Sequence, residues 1–116
     1  MCDRLVFLRL HRLDSVMAVP SMSIDEAELE RAFKVTGDAL EKARISKTLS
    51  EEDSRRAAIM LDMASRYFKD ASFFRERGDL LNAFGALYYA HGWLDSGARI
   101  GLFDVGKDSR LFTVDD

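Results

Sequence analysis

The chain has 116 residues, a length typical of one domain, and 47% of them are hydrophobic, enough to build a core. Its formal net charge of −3 gives no general attraction to phosphate backbones, so nonspecific nucleic-acid binding is not favoured. Cys2 is the only cysteine, which excludes an intramolecular disulfide and a cysteine metal site. No apolar run approaches the ~20 residues that span a bilayer, so we expect a cytoplasmic protein without a membrane segment.

Residues 1–22 precede the first strong helix signal, and we expect them to be an extension of the folded domain. Charged residues, among them Arg9 and Arg12, interrupt the apolar residues between Leu5 and Val19, which is not the pattern of a signal peptide. The segment could form an amphipathic helix or a short strand. It could also result from an early start codon, because Met22 would be an equally good start.

The first helix is predicted over about 24–46. Ser23 and Glu26 have the spacing of a capping box, in which each side chain bonds the backbone N–H of the other. Apolar or small residues then recur at steps of four and three, as on one face of a helix: Leu29, Phe33, Thr36, Leu40 and Ala43.

Two further helices are predicted over about 51–77 and 79–101. Ser50 and the three acids after it are typical of a helix start, while Gly78 suits the left-handed position that ends a helix. Asp79 then caps the third helix. The second helix carries an apolar stripe of Ala57, Met60, Leu61, Ala64, Tyr67, Phe68, Ala71 and Phe74. The stripe of the third is Leu80, Ala83, Phe84, Leu87, Ala90, His91, Leu94 and Ala98.

These elements predict an all-α fold, an antiparallel up-down-up three-helix bundle over 23–105. Short connections between the helices favour antiparallel neighbours. A C-terminal tail follows at 106–116, short and mostly irregular, in which residues 111–114 could form a short strand.

The third helix is also apolar on the side opposite its stripe, where Ala86, Tyr89, Gly92, Trp93, Ser96 and Ile100 lie. Internal contacts are one explanation, because each helix of a three-helix bundle touches two others. The alternative is a surface for a protein partner or a homo-oligomer, since tyrosine and tryptophan are enriched at interface hot spots. The predicted interaction residues are Phe73, Tyr89, Gly92, Trp93 and Ser96.

A second candidate site is polar and consists of Tyr88, His91, Asp95 and Arg99, which the helical period places along one side of the third helix. A histidine oriented by a carboxylate can act as a general base, and Asp70 from the neighbouring helix could contribute. A partly buried structural histidine beside a surface ion pair explains the same pattern. We predict no catalytic, cofactor-binding or metal-binding residues, because the sequence has no metal-ligand spacing, phosphate-binding loop or nucleophile motif.

Two segments resemble the archaeal family called "domain of unknown function 357". One is Ala57–Ala71 followed by Gly78-Asp79, and the other is Tyr89-Ala-His-Gly-Trp-Leu-Asp-Ser-Gly97 with the residues up to Leu102. The resemblance covers about 24–105 and implies a small helical bundle. The family has no assigned activity, so the resemblance implies no catalytic residues.

Three functions remain open from the sequence. The first is a non-enzymatic interaction or self-association module using the Tyr89 and Trp93 face. The second is a ligand-binding or catalytic bundle that uses the polar site. The third is an RNA-associated accessory protein, which would use the basic residues of the second helix: Arg55, Arg56, Arg66, Lys69, Arg75 and Arg77. The sequence favours the first, because it shows apolar surface and no assembled chemistry.

Overall fold

The protein is described by a computed structural model that covers residues 25–114. Its elements, in chain order, are helix α1 (Glu26–Lys42), strand β1 (Arg44–Ile45), helix α2 (Glu51–Glu76), helix α3 (Leu80–Arg99) and strand β2 (Phe103–Asp104). The three helices form the predicted all-α bundle. Helix α3 packs against both α1 and α2, which contact each other much less. None of the helices described is long and apolar enough to cross a membrane.

The caps of α2 and α3 are the predicted ones. The Ser50 side chain accepts a hydrogen bond from the backbone N–H of Asp53 at 3.1 Å, and Asp79 accepts one from Asn82 at 3.2 Å. Gly78 joins the two helices with a φ of +76°, a left-handed conformation that costs glycine little because it has no Cβ. Local sequence therefore determines this hairpin.

The start of α1 differs from the prediction, because its cap is Asp25 rather than Ser23. The Asp25 carboxylate accepts a hydrogen bond from the backbone N–H of Ala27 at 2.8 Å. It thereby satisfies one of the free N–H groups that every helix start presents. Ser23 itself lies outside the described residues.

The prediction that α1 continues to 46 is wrong, since the helix ends at Lys42. Ala43 already has extended backbone, and the next two residues pair antiparallel with β2, Arg44 opposite Asp104 and Ile45 opposite Phe103. The Arg44 guanidinium also donates hydrogen bonds to the carbonyls of Glu41 and Ala43. The pairing and these bonds satisfy backbone groups that another helical turn would otherwise have used.

The core consists of two clusters along the bundle. Alanines on facing helices let the backbones approach closely, and a few large side chains fill the remaining space. Towards the hairpin of α2 and α3, the buried members are Leu29, Tyr67, Ala71, Phe74, Ala83, Ala86, Leu87 and Ala90. Towards β1 and β2, they are Ala39, Ala43, Ala57, Ala64, Leu94, Ala98, Leu102, Phe103, Val105 and Phe112.

The segment after β2 is irregular but packed, and the strand predicted at 111–114 is absent from it. Val105 and Phe112 are buried in the second cluster. Asp108 organises the turn between them, because its carboxylate accepts hydrogen bonds from the backbone N–H groups of Arg110 at 3.0 Å and Leu111 at 3.4 Å. It also pairs with Lys42 of α1 at 3.4 Å, which fastens the segment to the bundle.

Asp108 makes the stability of this segment depend on pH. Desolvation disfavours its charge, but the N–H donors of Arg110 and Leu111 and the ammonium of Lys42 hold its pKa below the ordinary value of 3.8. A lowered carboxylate pKa contributes stability above pH 3.8 that is lost as the pH falls through the folded-state pKa.

We therefore expect wild type to be more stable than Asp108→Asn at pH 7, and this advantage to shrink below about pH 4. Urea unfolding of both proteins at several pH values measures it. The difference between the two proteins isolates Asp108 from the other carboxylates, which titrate in both. An advantage of the same size at pH 3 and pH 7 would contradict the assignment.

A candidate interaction surface on the third helix

Two adjacent grooves run along the exposed side of α3. The first, the α1/α3 groove, has a volume of about 550 Å³, within the range of ligand and peptide grooves. Its floor and walls are mostly apolar, with one acid and one base on the α1 side. The lining residues are Glu28, Arg31, Ala32, Val35 and Thr36 of α1, and Phe84, Leu87, Tyr88, His91 and Gly92 of α3.

The second, the α2/α3 groove, is smaller, at about 320 Å³. Met60 of α2 forms one wall, and α3 supplies the rest. Among the residues that the structure describes, no charged side chain lines it. The α3 residues are Tyr88, Tyr89, Gly92, Trp93 and Ser96, so the structure brings four of the five predicted interaction residues into one groove.

Tyr88 and Gly92 line both grooves, and Tyr88 forms the ridge between them. Its side chain is 68% exposed and stacks on the ring of Phe84 one turn earlier, with centroids 6.0 Å apart. A Cβ added at Gly92 would meet no atom of residues 25–114 within 4 Å. We call the two grooves together with the Tyr88 ridge the double groove; it presents an exposed aromatic ring beside an open stretch of backbone.

Tyr89 and Trp93 have different environments within the α2/α3 groove. The Tyr89 ring contacts Tyr67 of α2 edge to face, with ring centroids 4.4 Å apart, and the residue is 46% exposed. Trp93 also contacts Tyr89 edge to face, at 6.1 Å, but packs against the second core cluster. Its indole nitrogen is buried, with no acceptor among residues 25–114. Trp93 therefore serves the core as well as the groove.

Phe73 and Ala86 do not belong to this surface. Phe73 lines neither groove; its ring lies 5.7 Å from that of Phe74 and under the guanidinium of Arg77 at 5.3 Å. Ala86, predicted to lie on the outer side of α3, is fully buried. The reason is that α3 packs against two helices, so its buried arc is wider than a single stripe.

His91 of the predicted polar site supports the C-terminal segment. Its Nε2 donates a hydrogen bond to the carbonyl oxygen of Leu111 at 2.7 Å, and its Nδ1 shares one with the Thr36 hydroxyl at 3.3 Å. The ring also stacks on Phe112, with centroids 6.2 Å apart. Both ring nitrogens are thus occupied by partners other than Asp95.

Asp95 serves the same segment one turn further along α3. Its carboxylate accepts a hydrogen bond from the backbone N–H of Thr113. Tyr88 lies at the ridge of the double groove, and Arg99 is exposed near the end of the helix. The polar site is thus divided: Tyr88 forms an exposed ridge, His91 and Asp95 hold residues 111–113, and Arg99 lies apart from both.

Three of the six basic residues of α2 are paired with acids. Arg56 bridges Glu52 and Asp53, and Arg66 pairs with Asp62 at 2.8 Å. Arg75 pairs with Glu26 and Glu30 of α1, and the hydrogen bond with Glu30 raises the pKa of its guanidinium above the ordinary value. Within residues 25–114, no three histidine, cysteine or acidic side chains lie close enough to hold a metal ion.

The α1 wall of the double groove was missed by sequence reasoning. Val35 is 45% exposed and lies outside the α1 stripe, so an apolar residue out of register was the available signal. Glu28 and Arg31 carry no such signal, because charged residues are expected on a solvated face. Only the packing of α1 beside α3 places them at the groove.

One comparison with known proteins identifies a family. Residues 31–103 match the family model described as "Protein of unknown function (DUF357)". Comparisons with curated proteins and with solved structures gave no match. The matched residues extend from the second turn of α1 to the start of β2, and so include all of α2 and α3. They make up more than half of the chain, which therefore belongs to the DUF357 family.

Proposed function

We propose that this protein is a non-enzymatic interaction module that binds a protein partner through the double groove. The observation that carries the proposal is Tyr88, a residue that is 68% exposed between two mostly apolar grooves. A large aromatic ring in water leaves its burial energy unused, and tyrosine is among the residues that dominate binding at interfaces. We expect the protein to bind this partner in the cytoplasm, as the sequence predicts.

The polar site gives less support to an enzyme. A general base needs a ring nitrogen within reach of a substrate proton, whereas both nitrogens of His91 are bonded to Leu111 and Thr36. Asp95 holds the backbone of Thr113 instead of orienting the histidine. Using this pair for catalysis would require the C-terminal segment to leave the bundle, with the loss of the buried Phe112.

An RNA-binding function is also less well supported. Binding to phosphates requires cations that can exchange their counterions for the nucleic acid. Arg56, Arg66 and Arg75 of α2 are each paired with one or two carboxylates of the protein. Their positive charge is balanced in place, so of the six basic residues of α2 only Arg55, Lys69 and Arg77 are left for phosphate contacts.

Tyr88→Ser tests the proposal against Ile59→Ser as the matched control. Ile59 is 50% exposed on α2 and lines neither groove, so both variants remove an exposed apolar side chain. Wild type and each variant are made as full chains in two forms that carry different tags. For each protein, the two tagged forms are expressed together in its native cells. Affinity purification through one tag followed by quantitative mass spectrometry then measures retained partners and retained second copies separately.

We expect Tyr88→Ser to reduce the amount of partner protein retained by the tagged chain about tenfold or more, as for a hot-spot residue. Ile59→Ser should leave this amount unchanged. Thermal unfolding should show both variants folded, because neither side chain is buried. Equal retention by wild type and both variants would contradict the proposal.

A further inference from the structure

We infer that residues 108–114, here called the strap, detach from the bundle while the three helices stay folded, and that this opening uncovers His91. The inference goes beyond the proposed function and does not depend on it. Three features of the molecule carry it: a hinge before the strap, the small number of contacts that hold the strap down, and the position of His91 beneath it.

The hinge lies at Gly106 and Lys107. Both residues have positive φ, +62° and +59°, and within residues 25–114 Lys107 is the only residue other than glycine with such a value. A residue with a Cβ is strained in this left-handed conformation. The closed position of the strap therefore holds strain that a rotation of the backbone at Lys107 relieves, so the strap can swing away at this point.

Few contacts hold the strap against the helices. Phe112 is the only buried apolar side chain within residues 108–114, while Leu111 and Val114 are partly buried. Three polar contacts with described residues of the helices complete the attachment: Asp108 with Lys42, Leu111 with His91, and Thr113 with Asp95.

The other backbone hydrogen bonds of the strap are local. The N–H groups of residues 108, 110, 111 and 112 bond to acceptors within the preceding four residues. Such bonds do not fix the strap to the bundle, and an isolated turn is unstable in water. Segments with few buried contacts open at a lower free energy than the core. The family match also ends at residue 103, so it contains most of α1, all of α2 and α3, and none of the strap.

His91 lies between the strap and the α1/α3 groove. Its ring stacks on Phe112, and its Nε2 donates to the carbonyl of Leu111. Thr36, which is bonded to its Nδ1, lines the groove beside it. When the strap opens, Nε2 loses its partner and one face of the ring is uncovered. The α1/α3 groove then continues past His91 into the space left by Phe112, so the strap controls both access to the histidine and the length of the groove.

Three probes in the purified full chain test the inference. Amide hydrogen exchange at Phe112 reports the opening of the strap, and exchange at Leu87, within α3, reports the unfolding of the helices. The rate at which diethyl pyrocarbonate modifies His91 reports access to its ring. Mass spectrometry of peptides follows this reaction and distinguishes His91 from His11, the other histidine of the chain.

Two variants separate the opening of the strap from the unfolding of the helices. Asp108→Ala removes the acceptor of the N–H groups of Arg110 and Leu111 and the ion pair with Lys42. Leu29→Val instead weakens the core cluster near the α2/α3 hairpin, to which no strap residue contributes. The matched control for Asp108→Ala is Asp62→Ala, which removes an exposed carboxylate that pairs with Arg66 within α2.

We expect Asp108→Ala to speed exchange at Phe112 and modification of His91 by the same factor, about tenfold or more, because hydrogen bonds to a charged group are lost. Asp62→Ala should leave both rates unchanged. Leu29→Val should speed exchange at Leu87 about fivefold, as expected for removal of one buried methylene. It should not change the rates at Phe112 and His91, because the contacts of Leu29 are the same whether the strap is open or closed.

Three results would overturn the inference. If Leu29→Val speeds all three probes by one factor, the strap opens only when the whole chain unfolds. If Asp108→Ala leaves exchange at Phe112 unchanged, Asp108 does not hold the strap closed. If exchange at Phe112 becomes faster while modification of His91 does not, the strap does not cover the histidine. None of these results bears on the binding of a partner, which Tyr88→Ser tests separately.

Discussion

Phe112→Ala is expected to lower the free energy of unfolding by about 3–4 kcal/mol, as for other buried phenylalanines replaced by alanine. The ring is 3% exposed, belongs to the second core cluster and stacks on His91. Its removal leaves a cavity and loosens the segment whose Leu111 carbonyl bonds His91. Urea unfolding followed by circular dichroism at 222 nm measures the change.

Thr113→Ala is the control for this prediction. Its side chain is exposed, and the backbone N–H that bonds Asp95 remains, so we expect a change within about 0.5 kcal/mol. Should Phe112→Ala fail to fold, Phe112→Leu retains most of the apolar volume and should cost roughly 1–1.5 kcal/mol. A Phe112→Ala protein as stable as wild type would mean that residues 105–114 do not complete the core.

Alanine substitutions at Gly97 and Gly92 are expected to change stability in opposite directions. A Cβ at Gly97 would lie 2.2 Å from Cε2 of the Phe103 ring, far inside contact distance, whereas one at Gly92 would meet no atom of the described part of the chain within 4 Å. Gly97→Ala should therefore destabilise the protein by about 2 kcal/mol or more through overpacking. Gly92→Ala should stabilise it by roughly 0.5–1 kcal/mol, because alanine is the better helix former.

Both glycines lie within α3, so alanine raises helix propensity at both positions. The difference between the two changes in stability therefore measures the effect of the Phe103 contact. Phe103→Leu in the Gly97→Ala background provides a further check, because a smaller and more flexible side chain can vacate the space. We expect it to recover part of the loss, which is a coupling between two residues in contact. If both alanine variants proved equally stable, the close packing of Phe103 on Gly97 would be wrong.

The parts of the fold that depend on local sequence were predictable. Caps at Ser50 and Asp79, the left-handed Gly78 and the apolar stripes all act within a few residues of each other. The end of α1 was not predictable, since it depends on pairing between Arg44–Ile45 and Phe103–Asp104, which are far apart in the chain. The same holds for the segment after β2, whose order comes from contacts with Lys42, His91 and Asp95.

The candidate site was predictable to a similar extent. The helical period placed Tyr89, Gly92, Trp93 and Ser96 together, and they line one groove. The period could not assign Tyr88, which the sequence grouped with His91 although its ring forms the exposed ridge. It also could not distinguish the roles of the glycines, because Gly92 and Gly97 look alike until β2 places Phe103 against one of them.

The order of the two core clusters along the chain has a consequence for synthesis on the ribosome. The cluster around Phe74 and Leu87 uses residues only up to Ala90, whereas the other requires Phe103, Val105 and Phe112. A nascent chain leaves the exit tunnel from its N-terminus, so the first cluster can assemble while the residues needed for the second are still enclosed. Until residues 103–112 have emerged, Ala39, Ala57 and Leu94 lack their covering side chains. Within residues 25–114, the end of the bundle near β1 is therefore the last part to become protected from chaperones and proteases.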